Sequence, residues 1–384
     1  MRVLFLGLDI DLARNRGDSI HALNLAKSLV HVGHSVLAVV GAAPSQRANH
    51  GVEIAVRPSA RDPVVLRYLL RLARKFRPDL IYERRFSPKM SAAIATLLDI
   101  PYIIEINGIL EDEARLQGLP VRKGPIAAIK KGTRHLLLRK ASGIVAVTPE
   151  LRTCVISLYG ATPSKVHVVP NGVDPAIFRP LDKKTARQEL GIPEGPVACF
   201  VGNFVKWHDF GTLIEAMRIP PSQFHLIAVG DGPEREKLEA MAKRFHLSPR
   251  ISFVGELPHW RVPAFIAASD VAVAPATRER NQRVGSSALK LYEYLSCARP
   301  LIATAIPGVT NLIGEYRCGI AVPPGDPTAL GRAIEKVLSE PAFQEAALRA
   351  SESIRTRFSW DETARGVSAV MDQVVSESLE SHHT

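Results

Sequence analysis

The chain has 384 residues, too many for one typical hydrophobic core and enough for two α/β domains. No apolar run approaches the ~18 residues of a membrane span, and the four cysteines (Cys154, Cys199, Cys297, Cys318) lie far apart with no CxxC pair, which argues against a zinc site or disulfide framework and fits a reducing cytoplasm. Charge is uneven: residues 1–180 carry 26 Lys and Arg against 14 Asp and Glu, a net of +12, and the remainder carries 23 against 24, a net of −1, which suggests either an anionic partner for the first half or a solvated basic surface with no specific partner.

The opening MRVLFLGLDID reads as a strand rather than a secretion signal, because its apolar stretch is short and meets Asp9 and Asp11 without a small-residue cleavage pattern. Further strands are expected at 35–40, 102–106 and 143–147, and a helix at 21–33 that ends at Gly33. Strand, helix, strand in that order gives a right-handed parallel unit. Residues 165–180, KVHVVPNGVDPAIFRP, are dense in Pro and Gly and read as a linker. The rhythm then restarts, with strands at 196–202, 224–230, 250–255, 271–275 and 300–304 and helices at 233–245, 262–268 and 287–297. Residues 326–357 read as helical, and an amphipathic helix spans 359–375. The fold class is α/β, with two open parallel sheets covered by helices. Ligands bind such sheets beyond the carboxyl ends of the strands. The candidate loops follow Leu8, Ile106, Val201, Gly230, Gly255 and Pro275.

Four segments carry groups suited to chemistry. In VGSSALKLYEYLSCARPLIAT (284–304), Gly285, Ser286 and Ser287 precede a helix whose first-turn N–H groups and dipole favour an anion. Lys290 and Glu293 share one face of that helix. Lys290 suits a phosphate oxygen and Glu293 the two hydroxyls of a ribose; the plainer reading is a capped helix with a solvated Lys–Glu pair. In FVGNFVKWHDFGTLIEA (200–216), Asn203, Lys206 and His208 hang in the loop after a strand, as phosphate ligands or as ordinary polar residues. NRGDSIH (15–21) enters the first long helix, where Gly17 permits close backbone approach. Its GDS also resembles the nucleophile block of one esterase class, with Ser19 attacking, but that chemistry needs a late Asp-x-x-His, and no histidine after His21 has Asp three residues before it. YIIEINGILEDEARL (102–116) places Glu105 and Asn107 at a strand end. Its Glu111, Asp112 and Glu113 are a potential metal cluster that reads more simply as a solvated helix start. The histidines lack metal-ligand spacing, and the basic runs 71–77 and 122–140 lack interleaved aromatics, which speaks against nucleic acid.

Taken in order, these segments resemble the retaining glycosyltransferases of family 4, which have the GT-B fold. RGDSIHALNLAKSLVHVGHSV is similar to the family's first loop and helix and VVPNGVDPAIF to its inter-domain exit. VGNFVKWHDFGTLIEA, VGDGPE, FVGELPHWRVPAFIAASDVAVAP and LKLYEYLSCARPLIAT follow in the family's order, and FSW resembles the start of its last segment. The resemblance implies two Rossmann-like domains facing across a cleft: an acceptor-binding domain, 1–178, on which a helix of 359–384 packs back, and a donor-binding domain, 179–358. It further implies a nucleoside-diphosphate sugar donor, a carbohydrate or lipid-linked acceptor, retention of anomeric configuration, and no obligatory metal or other cofactor. The leaving diphosphate oxygen then helps deprotonate the acceptor, so the enzyme needs positive groups at the leaving group rather than a strong base. By match, Glu293 holds the ribose, Leu257 lines the base pocket, Gly17 lies under the diphosphate, and Gly285, Ser286, Ser287, Ala288 and Leu289 border sugar and phosphate. Asn203, Lys206 and Gly232 complete the donor loops, and Asn107, His208, Lys290 and Glu293 form the catalytic set.

The chain departs from the family in three places. Gly285 stands where a glutamate commonly reads the donor sugar, Asn203 and His208 stand where Arg and Lys usually meet phosphate, and Asn107 stands where a histidine usually follows the strand. A branch with a Trp-His loop and a Lys-Leu-Tyr-Glu helix is more similar. In it Lys290 is expected to supply the charge missing at His208 and to stay charged where a histidine is neutral. The expected function is sugar transfer in polysaccharide or glycolipid synthesis, in the cytoplasm and, through the basic stretch 122–140, at the anionic inner face of a membrane. Two rivals stand beside it. A nucleotide-sugar 2-epimerase on a similar fold needs acid/base carboxylates and histidines that are few here. A non-catalytic sugar-nucleotide binder fits the missing glutamate and histidine.

Overall fold

The computed structural model describes residues 1–44, 51–84, 89–109, 112, 115–116, 124–220 and 223–381. It divides into two compact units: unit 1 takes Met1–Arg115, Leu119–Gly172 and Trp360–Thr384, and unit 2 takes Val173–Ser359 with Leu116–Gly118.

Unit 1 runs β1 (Arg2–Asp11), α1 (Gly17–His31), β2 (Ser35–Ala42), β3 (Glu53–Val56), α2 (Asp62–Phe76), β4 (Leu80–Glu83), α3 (Lys89–Leu98), β5 (Tyr102–Ile106), α4 (Pro125–Lys140), β6 (Gly143–Ala146), α5 (Pro149–Tyr159) and β7 (Val166–Val168). Its sheet has the order β3-β2-β1-β4-β5-β6-β7, with every pair parallel. Val3 to Leu8 are buried without alternation, as expected of a parallel strand covered on both faces. The strand order turns back between β1 and β4, so the loops after these two strands open at a topological switch point.

Unit 2 repeats the plan with α6 (Lys183–Leu190), β8 (Val197–Val201), α7 (Phe210–Ala216), β9 (His225–Val229), α8 (Arg235–Arg244), β10 (Ile251–Gly255), α9 (Val262–Ala268), β11 (Val271–Ala274), α10 (Arg278–Val284), α11 (Leu289–Ser296), β12 (Leu301–Thr304), α12 (Val309–Tyr316), β13 (Gly319–Val322), α13 (Pro327–Ser339) and α14 (Pro341–Arg357). The sheet order is β10-β9-β8-β11-β12-β13, again parallel, with its switch point between β8 and β11. Asp270 braces the first helix of this unit: it accepts from Arg187 at 2.7 Å, Lys183 at 2.8 Å and the amide of Val197 at 2.8 Å.

The last helix, α15 (Trp360–Ser381), belongs to unit 1. His31 Nδ1 meets Asp361 at 2.8 Å, His34 Nε2 meets the Ser368 hydroxyl at 2.8 Å, and the His21 ring lies 5.0 Å from that of Trp360. Gly172 and Gly143 permit this docking. A Cβ on Gly172 would stand 2.7 Å from the Trp360 nitrogen, and one on Gly143 would stand 2.9 Å from Val374 Cγ2.

Several sequence expectations change. Residues 165–180 are not all linker: they hold β7, and Phe178 is fully buried in the unit 2 core. The chain passes between units at Gly172/Val173, earlier than the expected 178/179. β3, β4 and β13 were not anticipated. The helical stretch 326–357 is two helices, because Pro341 forces a restart after Glu340. Among the described residues no helix is long and apolar enough to cross a membrane.

Candidate functional site

In unit 2 the expected donor residues gather at the switch point. β8 ends at Val201, whose amide hydrogen-bonds the Tyr294 hydroxyl at 2.6 Å. Tyr294 is fully buried on α11, so this bond fixes the helix to the strand end. Lys290 lies one turn earlier on the same helix face, which brings it to the same place. Its Nζ is buried, has no hydrogen-bond partner among the described residues, and lies 4.5 Å from the centroid of the Phe200 ring. Gly202 makes room for it: a Cβ there would stand 2.9 Å from Lys290 Nζ and 3.5 Å from His208 Cε1, and its φ of 146° also favours glycine. Lys290, His208 and Gly202 are thus brought together.

Burial pulls the Lys290 ammonium down to about 7, against the raising pull of Glu293. This corrects the expectation of a permanently charged lysine: no hydrogen bond among the described residues offsets its lost hydration. His208 Nδ1 contacts the carbonyl of Asn203 at 2.6 Å, so Nδ1 carries a proton and Nε2 faces away from that bond. Lys206 is exposed on the same turn. Backbone bonds from Gly202 to Val229, Phe204 to Asp231 and Gly230 to Gly255, each 2.8–2.9 Å, tie together the loops after β8, β9 and β10. Gly232 serves that bracing, since a Cβ would stand 2.5 Å from the Phe204 carbonyl oxygen.

The loop before α11 differs from expectation. The amide of Gly285 bonds the Asn281 carbonyl at 2.9 Å and that of Ser286 bonds the Pro307 carbonyl at 3.1 Å, so neither is offered to an anion. The Ser287 hydroxyl pairs with that of Tyr292 at 3.2 Å. Among the described residues no backbone hydrogen bond takes the amides of Ala288, Leu289 and Lys290, which moves the amide cradle to the helix start itself. Gly285 has φ 67° and ψ −170°, a conformation essentially reserved for glycine, so a glutamate here would be strained.

Glu293 is not the solvated half of a Lys–Glu pair. It is 5% exposed, and its Oε1 accepts from His259 Nε2 at 2.7 Å. His259 begins the short turn after β10, two residues past Leu257, and its ring lies 4.7 Å from that of Phe178. Leu257 is half-buried against the unit 2 core. Nothing in the spacing of His259 marked it out, because its partner lies 34 positions away.

In unit 1 a second cluster occupies the switch point between β1 and β4. Glu105, 3% exposed, accepts from the Tyr82 hydroxyl at 2.7 Å, from Arg84 Nε at 3.2 Å, from His21 Nε2 at 3.0 Å and from the Asn107 amide nitrogen. Burial alone would raise the Glu105 carboxyl; His21, Arg84 and Asn107 reverse this and hold it at about 2. Burial lowers the His21 imidazole more than Glu105 raises it, so Glu105 is the ionised partner and Arg84 its counter-charge. Because a carboxylate only accepts, Asn107 must turn its NH2 toward Glu105, and its Oδ1 is left as the outward acceptor. Arg84, Tyr82 and His21 were not anticipated.

Other expectations resolve simply. Gly17 opens α1, and a Cβ added to it would meet nothing within 4 Å, so the space there is clear. Ser19 is buried and donates to the Asp11 carbonyl at 2.7 Å, which suits a structural role and not a nucleophile. Asp112, expected to be solvated, is buried; Glu111, Glu113, Arg122 and Lys123 lie outside the described residues. Among the described residues no group of three or more His, Cys, Asp or Glu could hold a metal ion.

Comparison with known proteins places this geometry. Residues 16–177 match the family model "Glycosyltransferase Family 4", and residues 182–357 match "Glycosyl transferases group 1". A 2-deoxystreptamine glucosyltransferase of Streptomyces kanamyceticus is 31% identical over 220 residues, which cover 56% of this chain and 55% of the relative. A D-inositol 3-phosphate glycosyltransferase of Acidothermus cellulolyticus is 32% identical over 237 residues, which cover 58% and 51%. The chain thus spans about half the length of these curated relatives. Among solved structures, sucrose-phosphate synthase of Thermosynechococcus elongatus superposes with a TM-score of 0.82 at 19% identity, covering 98% of this chain and 100% of that one. Anabaena Alr3699/HepE in complex with UDP-glucose superposes at 0.77 and 21% identity, covering 99% and 100%, a likeness of fold. With adjoining family models over both halves and the same two-sheet fold along its length, the chain belongs to the GT-B glycosyltransferases of family 4.

Proposed function

We propose that the chain is a retaining glycosyltransferase that moves a sugar from a nucleoside-diphosphate sugar to an acceptor hydroxyl, with the donor on unit 2 and the acceptor on unit 1. The observation that carries this reading is Lys290, a buried amine with no hydrogen-bond partner among the described residues, carried on the helix α11 whose first amides no backbone hydrogen bond takes. A lysine is costly to bury, and an anion is the partner that offsets the cost. In this role Lys290, His208 and Asn203 receive the diphosphate, Lys206 borders it, and Glu293 takes the ribose. Leu257 faces the base, and the segment Gly285–Leu289 with Gly232 shapes the sugar and phosphate pocket. As the leaving diphosphate gains charge, these fixed groups stabilise it, and the diphosphate oxygen takes the acceptor proton without a protein base.

On unit 1, Asn107 Oδ1 is fixed as an acceptor by Glu105 and suits the hydroxyl of a sugar or lipid-linked acceptor. Membrane docking rests on α4, where Ile129 and Leu136 are exposed beside exposed Lys131, Arg139 and Lys140. That mix suits an anionic lipid surface.

A thermal-shift screen of UDP-, GDP- and ADP-sugars, followed by product analysis, tests the reading. Stabilisation by one donor with release of nucleoside diphosphate supports it. Binding without turnover favours a non-catalytic binder, and conversion of the donor sugar to its 2-epimer favours the epimerase.

A further inference from the structure

Glu293 sits in a place where a carboxylate needs help. It is 5% exposed on the second turn of α11, and its Oε1 accepts the His259 Nε2 proton at 2.7 Å. The ion-pair geometry places 17% of the His259 side chain and 7% of the Glu293 side chain in solvent, so the contact is nearly dry and correspondingly strong. The imidazole is itself held, with the Phe178 ring 4.7 Å from it on one side and the short turn His259–Arg261 fixing its backbone. Phe178 is fully buried, so this support does not shift with solvent. Glu293 Oε2 has no hydrogen-bond partner among the described residues. One carboxylate oxygen is therefore anchored and the other presented.

From this we infer that His259 is a positioning residue: it locks the Glu293 carboxylate in the rotamer that presents Oε2 to the ribose hydroxyls of a nucleoside diphosphate. The inference rests on the donor assignment proposed above. His259 makes no contact with the ligand in this account. It stands two residues after Leu257, so the loop that borders the base also sets the carboxylate that reads the ribose. A free carboxylate would sample several rotamers and lose part of each hydrogen bond it makes.

The test uses the full chain and whichever of UDP, GDP and ADP stabilises it most, together with the 2′,3′-dideoxy form of that nucleotide and inorganic pyrophosphate. Calorimetric affinities are measured for the wild type, His259→Ala, His259→Gln, Glu293→Ala and the double alanine variant. The wild type should prefer the ribose form over the dideoxy form by roughly tenfold or more, as charge-assisted hydrogen bonds do. Glu293→Ala should abolish that preference. His259→Ala should cut it severalfold while leaving pyrophosphate affinity unchanged, which a general collapse of the pocket would not do. His259→Gln, whose amide nitrogen reaches near the imidazole Nε2 position, should restore much of it. Adding His259→Ala to Glu293→Ala should cost nothing more. If Glu293 governs the preference and His259→Ala leaves it intact, or if His259→Ala weakens pyrophosphate as much as the nucleotide, the inference is overturned. A wild type indifferent to the ribose hydroxyls overturns the donor assignment, and the inference with it.

Discussion

Lys290 Nζ lies 4.5 Å from the centroid of the Phe200 ring, where a Cβ on residue 202 would crowd it at 2.9 Å. Facing an aromatic ring recovers part of what burial takes from an ammonium, but not the three hydrogen bonds it makes in water. Burial accordingly brings this amine to about 7 from its ordinary 10.5. Between those values the unfolded chain holds the proton and the folded chain does not, so stability rises with pH across that window and the penalty is largest below about 7. Lys290→Met should therefore stabilise the ligand-free protein at pH 6 by a few kcal/mol, on the order expected for such a shift, and by much less at pH 10. Chemical denaturation of both proteins at the two pH values measures this; equal stabilities at pH 6 would mean that Lys290 is not strained.

The same shift makes diphosphate binding a proton-linked event. An anion beside Lys290 raises its pKa again, so at pH 8 the chain should take up close to one proton from solution as a nucleoside diphosphate binds. Affinity should then weaken as pH rises above about 7. Calorimetry in two buffers of different ionisation enthalpy gives the uptake directly. Lys290→Ala should abolish it and lower turnover by roughly a hundredfold, while His208→Ala should leave the proton uptake in place. Full proton uptake in the lysine variant would reassign the charge to another group.

Glu105 makes the opposite prediction. Its carboxyl is held at about 2 in the folded chain against an ordinary 4.5, so its contribution is present above pH 4.5 and fades as pH falls toward 2. Glu105→Gln should lower stability at pH 7 by on the order of 3 kcal/mol and make little difference near pH 2. It should also free Asn107 to turn over, raising the acceptor KM more than the donor KM. Urea unfolding and initial-rate kinetics check the two parts, and a variant as stable as wild type at pH 7 would contradict the first.

Helix α4 offers a test of membrane docking. Ile129 and Leu136 are exposed beside basic residues, and each basic charge near an anionic surface adds about 1 kcal/mol, screened by salt. The chain should co-sediment with phosphatidylserine or phosphatidylglycerol vesicles at low salt and release at high salt. A variant with Ile129→Ser and Leu136→Ser should bind several-fold more weakly. Indifference to anionic vesicles at low salt ends this part of the reading.

Much of the architecture was legible because parallel strands leave continuous apolar runs: VLFLGL, YIIEI and VAVA each coincide with buried strands. The strands that escaped notice are three or four residues long, and LIYE ends in a charged residue, Glu83, that is buried where it accepts from Ser91 at the start of the next helix. Lys290 and Glu293 could be singled out because their helical spacing is local. The partners that define their chemistry could not: His259 lies 34 residues from Glu293, and His21 lies 84 from Glu105. Pairings of that kind are set by strand order, which periodicity alone does not give. The desolvation of Lys290 was hidden for the same reason, since it arises beside Phe200 on β8 and Gly202 just after it.

The most direct test of sugar transfer from a nucleotide donor is the release of nucleoside diphosphate from UDP-, GDP- and ADP-sugars by the purified chain, compared with Glu293→Ala at matched thermal stability. One sugar nucleotide should be cleaved by the wild type, the sugar leaving with its anomeric configuration retained. Loss of charge-assisted bonds to the ribose should slow the variant about a hundredfold. A wild type that cleaves none of the three, or a folded Glu293→Ala protein that turns over at the wild-type rate, would contradict the account.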